Sequence, residues 1–266
     1  MLSIIFSASL LTAALACPQH DISQHKFGKR AEPANDWTYE ASFNWGMMSE
    51  NYTLCQTGTK QSPIQLSLTQ GLSLNHIPTF DYKKPVSGDI YNWGYGPAFS
   101  MNNTGGAITS MPSVTYDNET LYLKGWHIHA PADHSVQGDR SKAELHFVHG
   151  DAAGNDRAVF AMRIDPGNRF TTSTFVKQFE SIPSFNNATT IPKTLDMSLA
   201  LAEVNNFNEF WSYQGSLTSP PCTEGIRWFV ARNILFVSDS QMQEILRVST
   251  YSARVEQEVW QHQINV

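Results

Sequence analysis

WHIHAPADHSVQGDRSKAELHFVH, residues 126–149, decides how this chain is read. It holds five of the nine histidines, so the chemistry those side chains perform is concentrated here. Ile128 separates His127 from His129, and on an extended chain alternate side chains leave opposite faces, so both imidazoles share one face. Residues 143–149 alternate in the same way, placing Glu144, His146 and Val148 together. His127, His129 and His146 therefore have the parity to meet on neighbouring strands. A single histidine on an apolar strand is more often a satisfied core residue than a ligand; the matching parity of His146 shifts that balance. His149 has the opposite parity. His134 falls in the connecting segment, where a hydrogen bond to a carboxylate is the simpler expectation.

Outward from this stretch, the chain of 266 residues is long enough for a substantial core and shows no composition shift after residue 31, so one domain is expected. A formal charge of -6, with no basic run beyond pairs, leaves no footprint for nucleic acid or anionic membrane and favours a small or neutral substrate. Residues 1–16 are apolar and end in Ala14-Leu15-Ala16, the pattern of a secretory signal peptide. The run falls short of the about 20 residues a membrane span needs, so no anchor is expected. Segment 17–30 ends in Lys29-Arg30, which reads either as a dibasic cleavage site suited to a fungal secretory route or as an exposed basic pair. Three cysteines leave one over in a secreted protein; losing Cys17 with segment 17–30 by cleavage after Lys29-Arg30 leaves Cys55 and Cys222 to bond. Sequons at Asn51, Asn102, Asn118 and Asn187 suit the same route and place those residues on the surface.

The segment 37–65, rich in aromatics, glycine and turn formers, reads as a wrap over the domain. Short apolar runs at 66–74, 79–82, 98–101, 114–116 and 121–123 predict strands, followed by the two histidine strands with a turn at Gly138-Asp139. The runs 157–164 and 226–236 read as central strands, whereas 170–179, 195–210 and 238–246 are the helical candidates, the last with a Ser238 cap. The sum is a β-rich α+β domain around a large, twisted, mainly antiparallel sheet with short peripheral helices.

Three neutral imidazoles and a water make a four-coordinate zinc site with one open position, the arrangement used to activate water. The order H-x-H, then Asp133-His134-Ser135-Val136, then Ala143-Glu144-Leu145-His146, and later Ser216-Leu217-Thr218-Ser219-Pro220-Pro221-Cys222, closely resembles the α-class carbonic anhydrases. Tyr39, Trp45, Gln61-Ser62-Pro63-Ile64, Trp228 and Ala253-Arg254 extend the resemblance over roughly residues 37–257. It implies a carbonic anhydrase domain over 31–266, one zinc on His127, His129 and His146, and reversible hydration of carbon dioxide to bicarbonate and a proton by a zinc-bound hydroxide. It further implies that Thr218 aligns that hydroxide, that Glu144 orients His146, and that Val148, Val159, Leu217, Ile226 and Trp228 form the apolar wall for carbon dioxide. Cys55 and Cys222 match the disulfide of secreted members, and inhibition by anions and sulfonamides is expected.

Three positions depart from the family pattern. Asp133 stands where Glu usually bonds the gatekeeper threonine, one methylene short. The position of the proton-shuttle histidine falls near Pro97 with no histidine nearby, leaving buffer or a water path past Tyr39 or Tyr95. Gly125 replaces a glutamine that often supports the first zinc ligand. Two other readings compete. A cupin would bind iron or manganese through His127, His129, Asp133 and His146 but leaves residues 216–221 unexplained. A carbonic anhydrase fold kept only for recognition would ordinarily have lost one of the three histidines. Monomer and homodimer are equally compatible with the sequence.

Overall fold

Eight strands pair side by side through the middle of the molecule, in the order Ile191–Leu195, Val86–Asn92, Pro97–Met101, Glu119–His129, Ala143–Gly150, Asp156–Pro166, Glu224–Ala231 and Phe210–Ser216. The computed structural model describes residues 36–102, 106–179, 181–184 and 189–266. The leader 1–16, the segment 17–30 with Cys17 and Lys29-Arg30, and the sequon at Asn187 lie outside them. In chain order the strands are β1 (Thr79–Asp81), β2 (Val86–Asn92), β3 (Pro97–Met101), β4 (Ser113–Tyr116), β5 (Glu119–His129), β6 (Ser135–Val136), β7 (Asp139–Arg140), β8 (Ala143–Gly150), β9 (Asp156–Pro166), β10 (Ile191–Leu195), β11 (Phe210–Ser216), β12 (Glu224–Ala231) and β13 (Leu235–Val237). The helices are short: α1 (Trp45–Met48), α2 (Leu54–Thr57), α3 (Thr174–Lys177), α4 (Ser198–Glu203) and α5 (Asp239–Arg247).

Pairing is antiparallel except where β12 and β13 run parallel to β9, so the sheet is mixed, with antiparallel pairs in the majority. Strands β8 and β9 are buried on both faces, which is why their sequences read as near-continuous apolar runs. Ile128, Leu145, Phe147, Phe160 and Met162 point into a large core that α3, α4 and α5 cover. Val148, Val159, Ala161 and Trp228 point the other way into a second cluster. The N-terminal wrap brings Trp37, Tyr39, Trp45 and Tyr52 against Tyr91 and Trp93 in a third, aromatic cluster.

Several sequence expectations are corrected. Residues 66–74 form no strand: Leu66 makes a single bridge to Val136, and a capping box between Ser67 and Gln70 turns Leu68–Gln70 into a 3-10 helix. Of 170–179 only one turn, α3, is helical, its start fixed by the Ser173 side chain and by Glu203 accepting from the Thr174 and Phe175 amides. Within 195–210 the helix is confined to α4, because Leu195 ends β10 and Asn205 and Asn206 adopt left-handed backbone, which asparagine tolerates. The run 226–236 divides at Arg232, whose amide bonds the Glu209 carbonyl, and resumes as β13 farther along β9. The turn joining β6 to β7 is Gln137-Gly138, both with positive φ, and Asp139 already belongs to β7. The helix expected at 238–246 is α5, with Ser238 and Gln241 forming its capping box.

His149 lies on the core face of β8, where its Nδ1 meets the Phe147 carbonyl at 3.2 Å and its Nε2 meets the Tyr82 hydroxyl at 2.5 Å. Burial pushes its pKa down to about 3. The folded protein thus refuses a proton that the unfolded chain accepts near pH 6.5. This stabilisation is complete above pH 6.5 and falls by up to ~1.4 kcal/mol per pH unit as pH drops from 6.5 toward 3. Urea unfolding at pH 7 and pH 5 is expected to show that His149→Gln loses about 2 kcal/mol less than wild type between the two.

Candidate metal centre

Strand pairing does the assembly. Antiparallel register sets His127 directly opposite His146 and His129 opposite Glu144, so β5 and β8 deliver all three imidazoles to one side of the sheet. The ring centroids are 4.8 Å apart for His127 and His129, 5.2 Å for His127 and His146, and 4.6 Å for His129 and His146. One nitrogen from each ring lies within 4.8 Å of the others, and all three side chains are buried.

Hydrogen bonding selects which nitrogen stays free. His129 donates from Nδ1 to the Ser252 carbonyl at 2.6 Å, leaving the Nε2 lone pair, which faces His127 Nε2 at 3.0 Å. His146 Nε2 meets Glu144 Oε1 at 2.7 Å, leaving Nδ1. His127 Nδ1 is buried with no hydrogen-bond partner, so the strand position beside it at Gly125 offers nothing in place of an acceptor. Burial, and then the neighbouring imidazoles, push His127 well down; burial also pushes His129 down. Neutral rings with exposed lone pairs are what a divalent cation requires.

Glu144 anchors a second group. Its Oε1 takes both His146 Nε2 and His134 Nδ1, the latter at 2.6 Å, and its Oε2 accepts from the His134 amide at 2.9 Å. Burial alone would raise this carboxyl, but the charge and hydrogen bonds of His134 and His146 hold it well below the usual range. His134 thus meets the carboxylate expected of it, and its Nε2 lies 2.7 Å from the Tyr213 hydroxyl.

The apolar wall is contiguous. Val148, Val159, Leu217, Ile226 and Trp228 fall in one buried cluster, with the Trp228 ring 5.0 Å from His146. Gly215 is required in β11, since a Cβ there would stand 2.1 Å from Ser62 Oγ. Thr218 is buried on the loop after β11, close to the disulfide between Cys55 and Cys222.

Asp133 departs from its expected partner. Its Oδ1 accepts the Arg254 amide at 2.8 Å, and its buried Oδ2 has no hydrogen-bond partner, so no bond joins it to Thr218. The Oδ2 lies 3.7 Å from His129 Nε2, but Asp133 is not among the atoms that converge with all three histidines, which removes the four-ligand cupin geometry. Tyr39 is buried with its ring 5.8 Å from His129, and Tyr95 is half-buried with its ring 4.9 Å from Tyr39. Burial, and then Glu40, push the Tyr95 phenol up to about 12, so at neutral pH it stays protonated. Asn51, Asn102 and Asn118 are exposed.

Sequence reading gave no site role to three contributors. Trp93 packs edge-on against both His127 and His129, at 5.4 and 5.3 Å. Ser252 and Arg254 act on the site through main-chain groups, which carry no side-chain signature.

Sheet and imidazole cluster together define a β protein with a potential mononuclear metal centre. The sequence model of eukaryotic-type carbonic anhydrase matches residues 40–264. The chain belongs to the carbonic anhydrase family, and it is an enzyme of that class. It is 30% identical over 213 residues to a carbonic anhydrase of Klebsiella pneumoniae, covering 79% of this chain and 81% of that protein. It is 31% identical to alpha carbonic anhydrase 6 of Arabidopsis thaliana, covering 75% and 72%. The solved α-carbonic anhydrase of Thermovibrio ammonificans, in complex with the inhibitor sulfanilamide, superposes with a TM-score of 0.73 at 26% identity, covering 90% of this chain and 99% of that one.

Proposed function

We propose that the chain catalyses reversible hydration of carbon dioxide to bicarbonate and a proton, with one zinc ion held by His127, His129 and His146. The convergence of three buried ring nitrogens from β5 and β8 carries this reading. Zinc, when bound, supplies the Lewis acidity that makes water a nucleophile near neutral pH. Val148, Val159, Leu217, Ile226 and Trp228 exclude water and receive an uncharged substrate by burial alone. Thr218 orients the attacking oxygen through its hydroxyl. Because Asp133 makes no bond to it, that hydroxyl is less firmly directed than a carboxylate contact would make it. Glu144 fixes the His146 tautomer, and the Ser252 carbonyl fixes that of His129. With no histidine near Pro97 and Tyr95 holding its proton, the exported proton passes along water beside Tyr39 and Tyr95 to external buffer.

The leader and the dibasic pair support secretion along a fungal-type route, with glycans on the exposed asparagines. The sulfonamide complex of the Thermovibrio relative supports inhibition of this chain by the same class. Metal analysis with stopped-flow hydration tests the whole reading. One zinc per chain and a rate that climbs with buffer concentration are expected. Metal-free, inactive protein would point to a recognition module, and a fast rate independent of buffer would show a shuttle group elsewhere.

A further inference from the structure

We propose that Trp93 is the positioning residue for His127, holding by contact a ring that no hydrogen bond holds. The three imidazoles are not equally braced. The outer nitrogens of His129 and His146 are fixed by Ser252 and Glu144, whereas His127 Nδ1 is buried and unpartnered. A metal-binding imidazole ordinarily takes its tautomer and ring orientation from that outer bond. Small residues flank His127 on its own face: Ala98 stands opposite it on β3, and Gly125 precedes it by two on β5. Neither fills the space beside the ring.

Trp93 fills it. Its indole meets the His127 ring edge-on at 67° and 5.4 Å, and reaches His129 at 5.3 Å. The turn that carries it is fastened to the ligand strand itself. The indole Nε1 donates to the Ile128 carbonyl at 3.3 Å, between the two ligands, and the Trp93 amide donates to the Gly96 carbonyl at 3.1 Å. Gly96 permits this approach, because a Cβ there would stand 2.8 Å from the Ile128 carbonyl oxygen. Tyr95 at 5.0 Å and Tyr39 at 6.2 Å also pack against the indole. The turn is thus pinned to the ligand strand, and the contact it makes limits rotation of the one ring that has no outer hydrogen bond, His127.

This inference rests on the reading that the three imidazoles hold zinc, and its test separates the two. Zinc-loaded wild type, Trp93→Leu, Trp93→Phe and Phe99→Leu are each mixed with excess EDTA, and zinc release is followed in time. Phe99 lies on the core face of β3 and controls for general loosening of that strand. Trp93→Leu is expected to release zinc about ten-fold faster than wild type, the low end of what an outer partner of a metal ligand is worth. Trp93→Phe is expected to fall between the two, and Phe99→Leu, matched for loss of thermal stability, to stay at the wild-type rate. In 15N spectra of the zinc-loaded proteins, the His127 ring signal broadens in Trp93→Leu while that of His129, still bonded to Ser252, stays sharp. If Trp93→Leu does not fold, Trp93→Phe must still accelerate release. Release at the wild-type rate from the Trp93 variants, or equal acceleration by Phe99→Leu, overturns the assignment. A wild-type protein that takes up no zinc overturns the metal reading itself.

Discussion

Replacing His129 by alanine is expected to strip the protein of zinc and of hydration activity together. His129 is the hinge of the cluster: its Nε2 faces that of His127 at 3.0 Å, its ring is the nearest neighbour of His146 at 4.6 Å, and its Nδ1 is tied to Ser252. Alanine leaves two nitrogens, one of them on a ring without an outer bond. Loss of an outer partner alone is worth about 10–100-fold in metal affinity, so loss of a ligand exceeds that range. Metal content after desalting and stopped-flow hydration measure the two effects separately. A variant that keeps stoichiometric zinc and wild-type turnover would sink the ligand assignment.

Removal of the disulfide has the second-largest expected effect. Cys55 and Cys222 are 167 residues apart, and closing a loop of that length lowers the entropy of the unfolded chain by about 5 kcal/mol in the chain-entropy model, an upper figure. Against a total of roughly 5–15 kcal/mol for a domain, that is a large share. The bond also fastens the loop bearing Thr218 to α2, and the Cys55 carbonyl accepts from Arg254 Nη2 at 3.0 Å. The double variant Cys55→Ser/Cys222→Ser is therefore expected to unfold at much lower urea and to lose turnover before it loses zinc, since none of the three histidines touches the bridge. A stability change under about 1 kcal/mol in urea melts would show that the loop is held closed by packing instead.

The histidine strands were legible because a period of two is rigid. Once His127 and His146 sit on extended chain, only one register buries the remaining apolar residues, and pairing follows. Helix boundaries were not legible: Glu203, on another element, accepts the first amides of α3 and fixes its start, and left-handed asparagines follow directly on α4. The division of 226–236 depends on the Glu209 carbonyl, far away in sequence. At the site, parity brought His127, His129 and His146 together, and the family resemblance supplied the apolar wall and drew attention to Asp133 and Gly125. Only the folded chain shows that Asp133 turns to a main-chain amide and that Trp93 stands beside His127. Both contacts join segments whose proximity the local pattern does not encode.

The stretch 252–254 touches the centre three times: the Ser252 carbonyl accepts from His129, its hydroxyl accepts the Ala130 amide at 3.0 Å, and the Arg254 amide donates to Asp133. The ligands themselves are complete by residue 146. During vectorial synthesis more than a hundred further residues must therefore emerge before His129 acquires the tautomer that frees Nε2. A nascent chain carries the three histidines before the outer contacts of His129 exist, so on the zinc reading stable metal capture waits until residue 252 has emerged.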